Sequence, residues 1–192
     1  MLIANNLMIN SQEYSVVFVD SRVKNTKKNI DQKNNMVFFV DEENNVNSIN
    51  VFNKHFANPK NHFLFSLNDE EVSFLQQCAT ENGLKISNDP KFVYVQIKKR
   101  EVHPKSEKLF VLTVFDGVRD IQIVTNTLES TEGKVLVMAK PGSFTFKGDS
   151  VVLGKLMDVE SEGMLTGYKT LGLEEEGLIF GTNEQIGKDF VI

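Results

Sequence analysis

At 192 residues the chain can hold one large or two small domains, and 41% hydrophobic with 24% charged residues is the balance of a soluble globular protein. A net charge of −5 and a pI near 5.3 exclude indiscriminate nucleic-acid binding, which draws on many Lys and Arg contacts to phosphate. The single Cys78 excludes an internal disulfide framework and a Cys-based zinc cluster, and no apolar run is long enough for a membrane span.

No basic stretch followed by an apolar one opens the chain, so no secretory leader is read and the expected compartment is the cytoplasm, without membrane contact. Of 19 Asn, 17 precede Pro90, whereas 11 of 12 Gly follow Asn88. That switch, centred on Ser87-Asn88-Asp89-Pro90, predicts a domain junction: a small α+β domain over 1–88 and a second domain over 91–192.

In the first half, residues 13–19 (EYSVVFV) and 36–40 (MVFFV) are apolar, β-branched or aromatic runs suited to strands. The turn residues Asp41 to Asn45 lead into a third run at 46–52 and predict a hairpin. Residues 62–67 (HFLFSL) give one more strand. Asn68 with Glu71 three residues on forms a capping-box pattern, and Val72, Leu75 and Cys78 or Ala79 recur at helical spacing before Asn82-Gly83 closes the helix. Lys24, Lys27, Lys28 and Lys33 read as a solvated basic loop over 21–33, with auxiliary RNA contact as the alternative. His55 and His62 lack a carboxylate constellation, so surface or packing roles are expected for them rather than metal binding, and Cys78, without nearby positive charge, is expected to pack on the helix's buried face.

From Phe92 the pattern becomes short β segments divided by turn signals: 92–97, 109–115, 121–124, 134–139 and 151–156, with Asp116-Gly117 as a hairpin turn and a helical turn expected at 128–132. Five such strands predict an all-β OB-fold, a five-stranded Greek-key barrel. Lys91, Lys98, Lys99, Arg100, Lys105 and Lys108 cluster around the first strand and the loop after it, while Glu160, Glu162 and Glu174 to Glu176 gather elsewhere. A basic end and an acidic end suit a polar ligand approached in one orientation; alternatively Lys98-Lys99-Arg100 keeps an edge strand soluble.

Two motifs organise this half: His103-Pro104 followed by Leu109 (HPxxxxL), and Val159, Ser161, Gly163 and Met164 (VxSxGM). Gln122-Ile123-Val124, Gly133-Lys134-Val135 through Pro141-Gly142, and Leu171-Gly172-Leu173 with Gly187-Lys188-Asp189 keep the same order. The ordered set resembles the tRNA-binding domain of the phenylalanyl-tRNA synthetase β subunit, of some methionyl-tRNA synthetases, and of free-standing bacterial tRNA-binding proteins, here joined to an uncharacterised N-terminal domain. The resemblance covers about Phe92 to the C-terminus. It implies an OB fold that recognises tRNA by its folded shape, without catalysis and without a cofactor or metal. By position, Ser161 would bond the RNA backbone, Met164 would make an apolar contact, and Gly163 would let the chain approach closely. Lys105 and Lys108 would meet phosphate, as would Lys98 and Arg100 on the first strand. Pro104 as a mere loop former and Met164 as core are the competing readings. The pattern departs at Val95 (a family glycine), at Met157-Asp158 (Arg-Gly in the family) and at Thr125-Asn126 (Cys-Gly or Ser-Gly).

Two functions fit these residues. One is a tRNA-binding protein working through its second domain; the other is a diverged barrel that docks on a synthetase or other translation-related protein. Related free-standing modules are often dimers, which makes a homodimer an expected arrangement. An enzyme is not expected, because no Gly-rich phosphate loop, metal-ligand cluster or paired nucleophile and base is present.

Overall fold

A computed structural model describes residues 1–192. Strand predominates: 14 strands stand against one α-helix. The first sheet is built from β1 (Ile3–Ile9), β2 (Gln12–Phe18), β3 (Lys27–Asp31), β4 (Met36–Val40), β5 (Val46–Phe52) and β6 (Phe65–Ser66), in the order β3-β4-β5-β2-β1-β6. Every pairing in it is antiparallel. Helix α1 (Asp69–Glu81) packs Val72, Leu75, Cys78 and Ala79 into the core formed with Val17, Phe38, Ile49 and Val51. Its start matches the sequence pattern: Asn68 accepts from the Glu71 amide at 2.9 Å and Glu71 accepts from the Asn68 amide at 3.0 Å. Burial, with Asp31 and Glu81 nearby, pushes the Cys78 thiol up, which disfavours its thiolate.

Two strands were not visible in the sequence. β3 lies within the stretch expected to be a basic loop, and β1 precedes the first expected strand. The expected α+β first domain is therefore corrected to a six-stranded sheet covered by a single helix.

The second sheet has the order β13-β10-β7-β8-β9, with β14 also on β10. Its members are β7 (Phe92–His103), β8 (Ser106–Phe115), β9 (Asp120–Thr125), β10 (Val135–Ala139), β13 (Met164–Leu165) and β14 (Phe180–Gly181). Alternate residues of these strands, among them Val93, Val95, Ile97, Leu112, Ile123 and Met138, form its core. The expected barrel is corrected here. Residues 151–156 supply no fifth strand to this sheet; β11 (Gly154–Leu156) pairs only with β12 (Val159–Ser161) in a separate hairpin. The place beside β10 is taken by two-residue strands too short to show a pattern. Residues 128–132 form turns and no helix.

The chain forms two compact units: one comprises Met1–Asp89, Gly142–Ser150 and Ile192, the other Pro90–Pro141 and Val151–Val191. In the first, Phe144 and Phe146 pack on Phe18 and Phe63, with ring centres 5.2 and 6.2 Å apart. Aromatic contacts of this kind carry the 142–150 segment into that unit.

Candidate nucleic-acid interface

The hairpin β7–β8 turns at Pro104-Lys105, and its register shifts twice, between Ile97 and Lys99 and between Val102 and His103. Lys98 is the unpaired residue of the first shift. A bulge re-aims the side chains beyond it, so Arg100 pairs opposite the core residue Leu112 and comes onto the core-facing side. Its guanidinium lies 3.5 Å from the Phe110 ring centre, while the Lys98 ammonium sits 5.3 Å from that of Phe115. The two cations of the first strand are thus on separate aromatic platforms rather than in one row. Arg100 Nε is buried without a hydrogen-bond partner, and the Arg100 amide donates to Glu132 at 2.9 Å.

His103 is buried and structural. Its Nδ1 accepts from the Lys105 amide at 3.1 Å, and Nε2 reaches the Leu156 carbonyl at 3.1 Å. Lys105 is ion-paired with Asp158, one of the two residues that replace the Arg-Gly of the pattern. Lys108 is exposed on β8. Met157 and Asp158, with φ of 48° and 70°, form the two-residue turn of the β11–β12 hairpin; two consecutive positive φ values match the twist of the flanking strands.

The second motif is largely used inside the protein. Ser161 Oγ accepts from the Val124 amide at 3.0 Å and donates to the Gly163 carbonyl at 2.9 Å. The Glu162 amide donates to the Gln122 carbonyl at 2.9 Å, and with the Ser161 bond this joins the β12–β13 connection to β9. Gly163 has φ of 133°, and a Cβ there would stand 2.6 Å from the Ala139 carbonyl oxygen. The close approach this glycine permits is to β10. The flanking carboxylates are answered locally: Glu162 bonds Arg119 at 2.7 Å, which raises the arginine's pKa, and Glu160 lies 3.7 Å from Lys155.

Met164 is half-buried in a cleft of about 620 Å³. Its apolar floor is Leu109, Met164, Leu165 and Leu178, and Thr125, Asn126 and Thr127 form a polar edge. Leu109 comes directly after Lys108 in the chain, and Leu156, also in the cleft, is held by His103. Of the expected site residues only Met164 lines this cleft; Lys105 and Lys108 do not, its charged lining residues are Lys169 and Glu129, and Ser161 and Gly163 hold the segment that carries Met164. Phe110 and Thr125–Thr127 were not singled out as site residues from the sequence. The only signal for the latter was a polar Thr-Asn-Thr run where the pattern has a small pair. Nowhere do three His, Cys, Asp or Glu side chains come together as a metal site would require.

A family model described as "Putative tRNA binding domain" matches residues 92–188, just over half of the chain. The chain belongs to that family. Among curated proteins, the phenylalanine–tRNA ligase β subunit of Leptospira interrogans is 36% identical over 102 residues, 52% of this chain and 12% of that protein. "Putative tRNA-binding protein YtpR" of Bacillus subtilis is 32% identical over 101 residues, 53% of this chain and 50% of the relative. The chain thus spans about half the length of one and a small part of the other. Among solved structures, a MetRS-related protein from Pyrococcus horikoshii covers 64% of this chain and 95% of its own at 22% identity, with a TM-score of 0.39. An overlap that loose carries no argument. The family match coincides with the second sheet, and both motifs lie inside it. No helix is long and apolar enough to cross a membrane.

Proposed function

We propose that the chain is a non-catalytic tRNA-binding protein that recognises folded tRNA by shape and a few phosphate contacts. The observation that carries this reading is the family match over residues 92–188, a region that holds both exposed cations on the β7–β8 hairpin and an apolar cleft at Met164 lined by Lys169. Cations suit an RNA backbone and an apolar platform suits an unstacked base. Lys98, Lys105 and Lys108 would meet phosphate, Arg100 would present its free guanidinium nitrogens from the Phe110 platform, and Met164 would contact a base or ribose. Ser161 and Gly163 would act by holding the cleft in shape.

The second unit carries 12 Lys and Arg against 14 Asp and Glu, so few phosphates can be neutralised and discrimination has to rest on fit. The test is a titration of folded bulk tRNA beside an unstructured RNA of equal length, at low and at moderate salt. Preference for tRNA that shrinks with salt supports the reading; equal binding to both RNAs, or to neither at low salt, contradicts it.

One observation favours a second function. Asp158 neutralises Lys105 at the hairpin tip, which suits a diverged surface docking on a translation-related protein better than one docking on RNA.

A further inference from the structure

We propose that the cleft at Met164 seats one unpaired nucleotide and reads its base, taking a base with an exocyclic amino group and rejecting uracil. Asn126 and Glu129 read the base, and Lys169 holds the phosphate. This rests on the tRNA-binding reading above and adds a base contact to recognition by shape. At about 620 Å³ the cleft falls within the roughly 300–1,000 Å³ of sites that hold a single small ligand. Its apolar floor, which includes Met164 and Leu178, gives a base a surface to lie against. All of it lies inside the family-matched residues 92–188.

Two short segments supply the polar groups, and the fold fixes both. In the first, residues 125–130, the Thr125 and Thr127 hydroxyls are 2.8 Å apart and the Thr127 amide donates to Thr125 Oγ1 at 3.2 Å. The buried Ser130 Oγ donates to the Thr127 carbonyl at 2.7 Å. The hydroxyls are thus engaged within the segment. The Asn126 amide and the Glu129 carboxylate, both exposed at the cleft, have no bond or ion pair inside the protein. In the second, the short helical turn Tyr168–Leu171 is anchored by the buried Leu171 and carries Lys169. The Lys169 ammonium donates to the Glu174 carbonyl at 2.6 Å. That acceptor is neutral, so Lys169 keeps its charge, whereas Lys105 is neutralised by Asp158.

One ammonium and one carboxylate at the same cleft orient a nucleotide. Its phosphate is drawn to Lys169 and repelled by Glu129, which leaves the base to Glu129 and Asn126. A carboxylate only accepts hydrogen bonds, whereas an amide both donates and accepts. Adenine and cytosine offer an amino group to the carboxylate, and guanine offers an amino group beside a ring N–H. The Asn126 amide then meets the adjoining ring nitrogen or carbonyl. Uracil has no amino group, and its one ring N–H lies between two carbonyl oxygens that a carboxylate repels.

The test follows the Met164 methyl and the Asn126 side-chain amide of the full chain by NMR as AMP, CMP, GMP or UMP is added. The first three are expected to shift both signals, with UMP at least about tenfold weaker. Glu129→Gln, a change at an exposed residue, should erase that gap. Lys169→Ala should weaken AMP and leave adenosine, which has no phosphate, unchanged. The proposal is overturned if no nucleotide shifts either signal, if UMP binds as well as the others, or if the gap persists in Glu129→Gln. Folded tRNA added to the same proteins separates this proposal from the reading it rests on. If tRNA binds while the nucleotides leave the cleft unshifted, the base-reading cleft alone fails. If the nucleotides are discriminated but tRNA does not bind, the cleft stands and the tRNA reading fails.

Discussion

His103 and Leu156 are joined side chain to backbone, with Nε2 of the ring 3.1 Å from the carbonyl oxygen. Nδ1 of the same ring accepts from the Lys105 amide, so the proton lies on Nε2 and is donated to Leu156. One histidine thus joins the β7–β8 turn to the end of β11 beside the Met157-Asp158 turn. His103→Ala leaves that carbonyl unanswered and is expected to cost about 1–3 kcal/mol in chemical denaturation. A change within a few tenths would mean that the contact does not contribute.

Gly163 tests the internal reading of the second motif. Gly163→Ala forces a Cβ against the Ala139 carbonyl in a conformation side chains seldom adopt, for an expected loss of about 2–4 kcal/mol. Ser161→Ala should cost about 1 kcal/mol or more through the stranded Val124 amide. If Ser161→Ala instead keeps full stability and loses RNA affinity, the serine contacts RNA directly.

The β11–β12 turn offers a gain. Met157 occupies a left-handed position at φ of 48° that asparagine adopts more readily. Met157→Asn is expected to raise stability by about 1 kcal/mol and to leave the hairpin register unchanged. A melting temperature below that of the wild type would contradict this.

Asp116 sets a pH dependence. Burial pushes its carboxyl up, but bonds from the Arg119 amide, the Lys140 ammonium at 3.0 Å and the Val118 amide outweigh this, and its pKa falls below the ordinary 3.8. A carboxylate depressed in the folded state adds stability that is present above its unfolded pKa and lost as pH falls through the folded one. Denaturation midpoints measured downward from about pH 5 should therefore fall less steeply in Asp116→Asn than in the wild type. Parallel profiles would remove Asp116 as a source.

The elements whose residues face a core were readable in advance. β2, β4 and β5 show apolar runs, and Asn68 and Glu71 mark the start of α1. β3 was not, because an exposed edge strand of Lys27, Lys28 and Asn29 carries no apolar alternation and looks like a solvated loop. β1 was not, because Asn5 and Asn6 interrupt its run. The replacement of residues 151–156 by β13 and β14 depends on long-range pairing that two-residue strands cannot announce. The motif positions of the site were legible as well, but roles depend on neighbours distant in sequence. Ser161 could bond RNA or its own protein until Val124 is seen beside it, and the register shift at Lys98 separates Lys98 from Arg100 although they are two residues apart.

Phosphate contact by the β7–β8 hairpin is tested most sharply at Lys105 and Asp158. The measurement is the slope of log affinity for folded tRNA against log salt, in the wild type, Asp158→Ala, Lys105→Ala and the double variant. Freeing Lys105 in Asp158→Ala should tighten binding and steepen the slope by up to about 1, and Lys105→Ala should weaken binding and flatten it. The double variant should lose the gain made by Asp158→Ala. Identical slopes in all four proteins would contradict the account and place any RNA contact elsewhere.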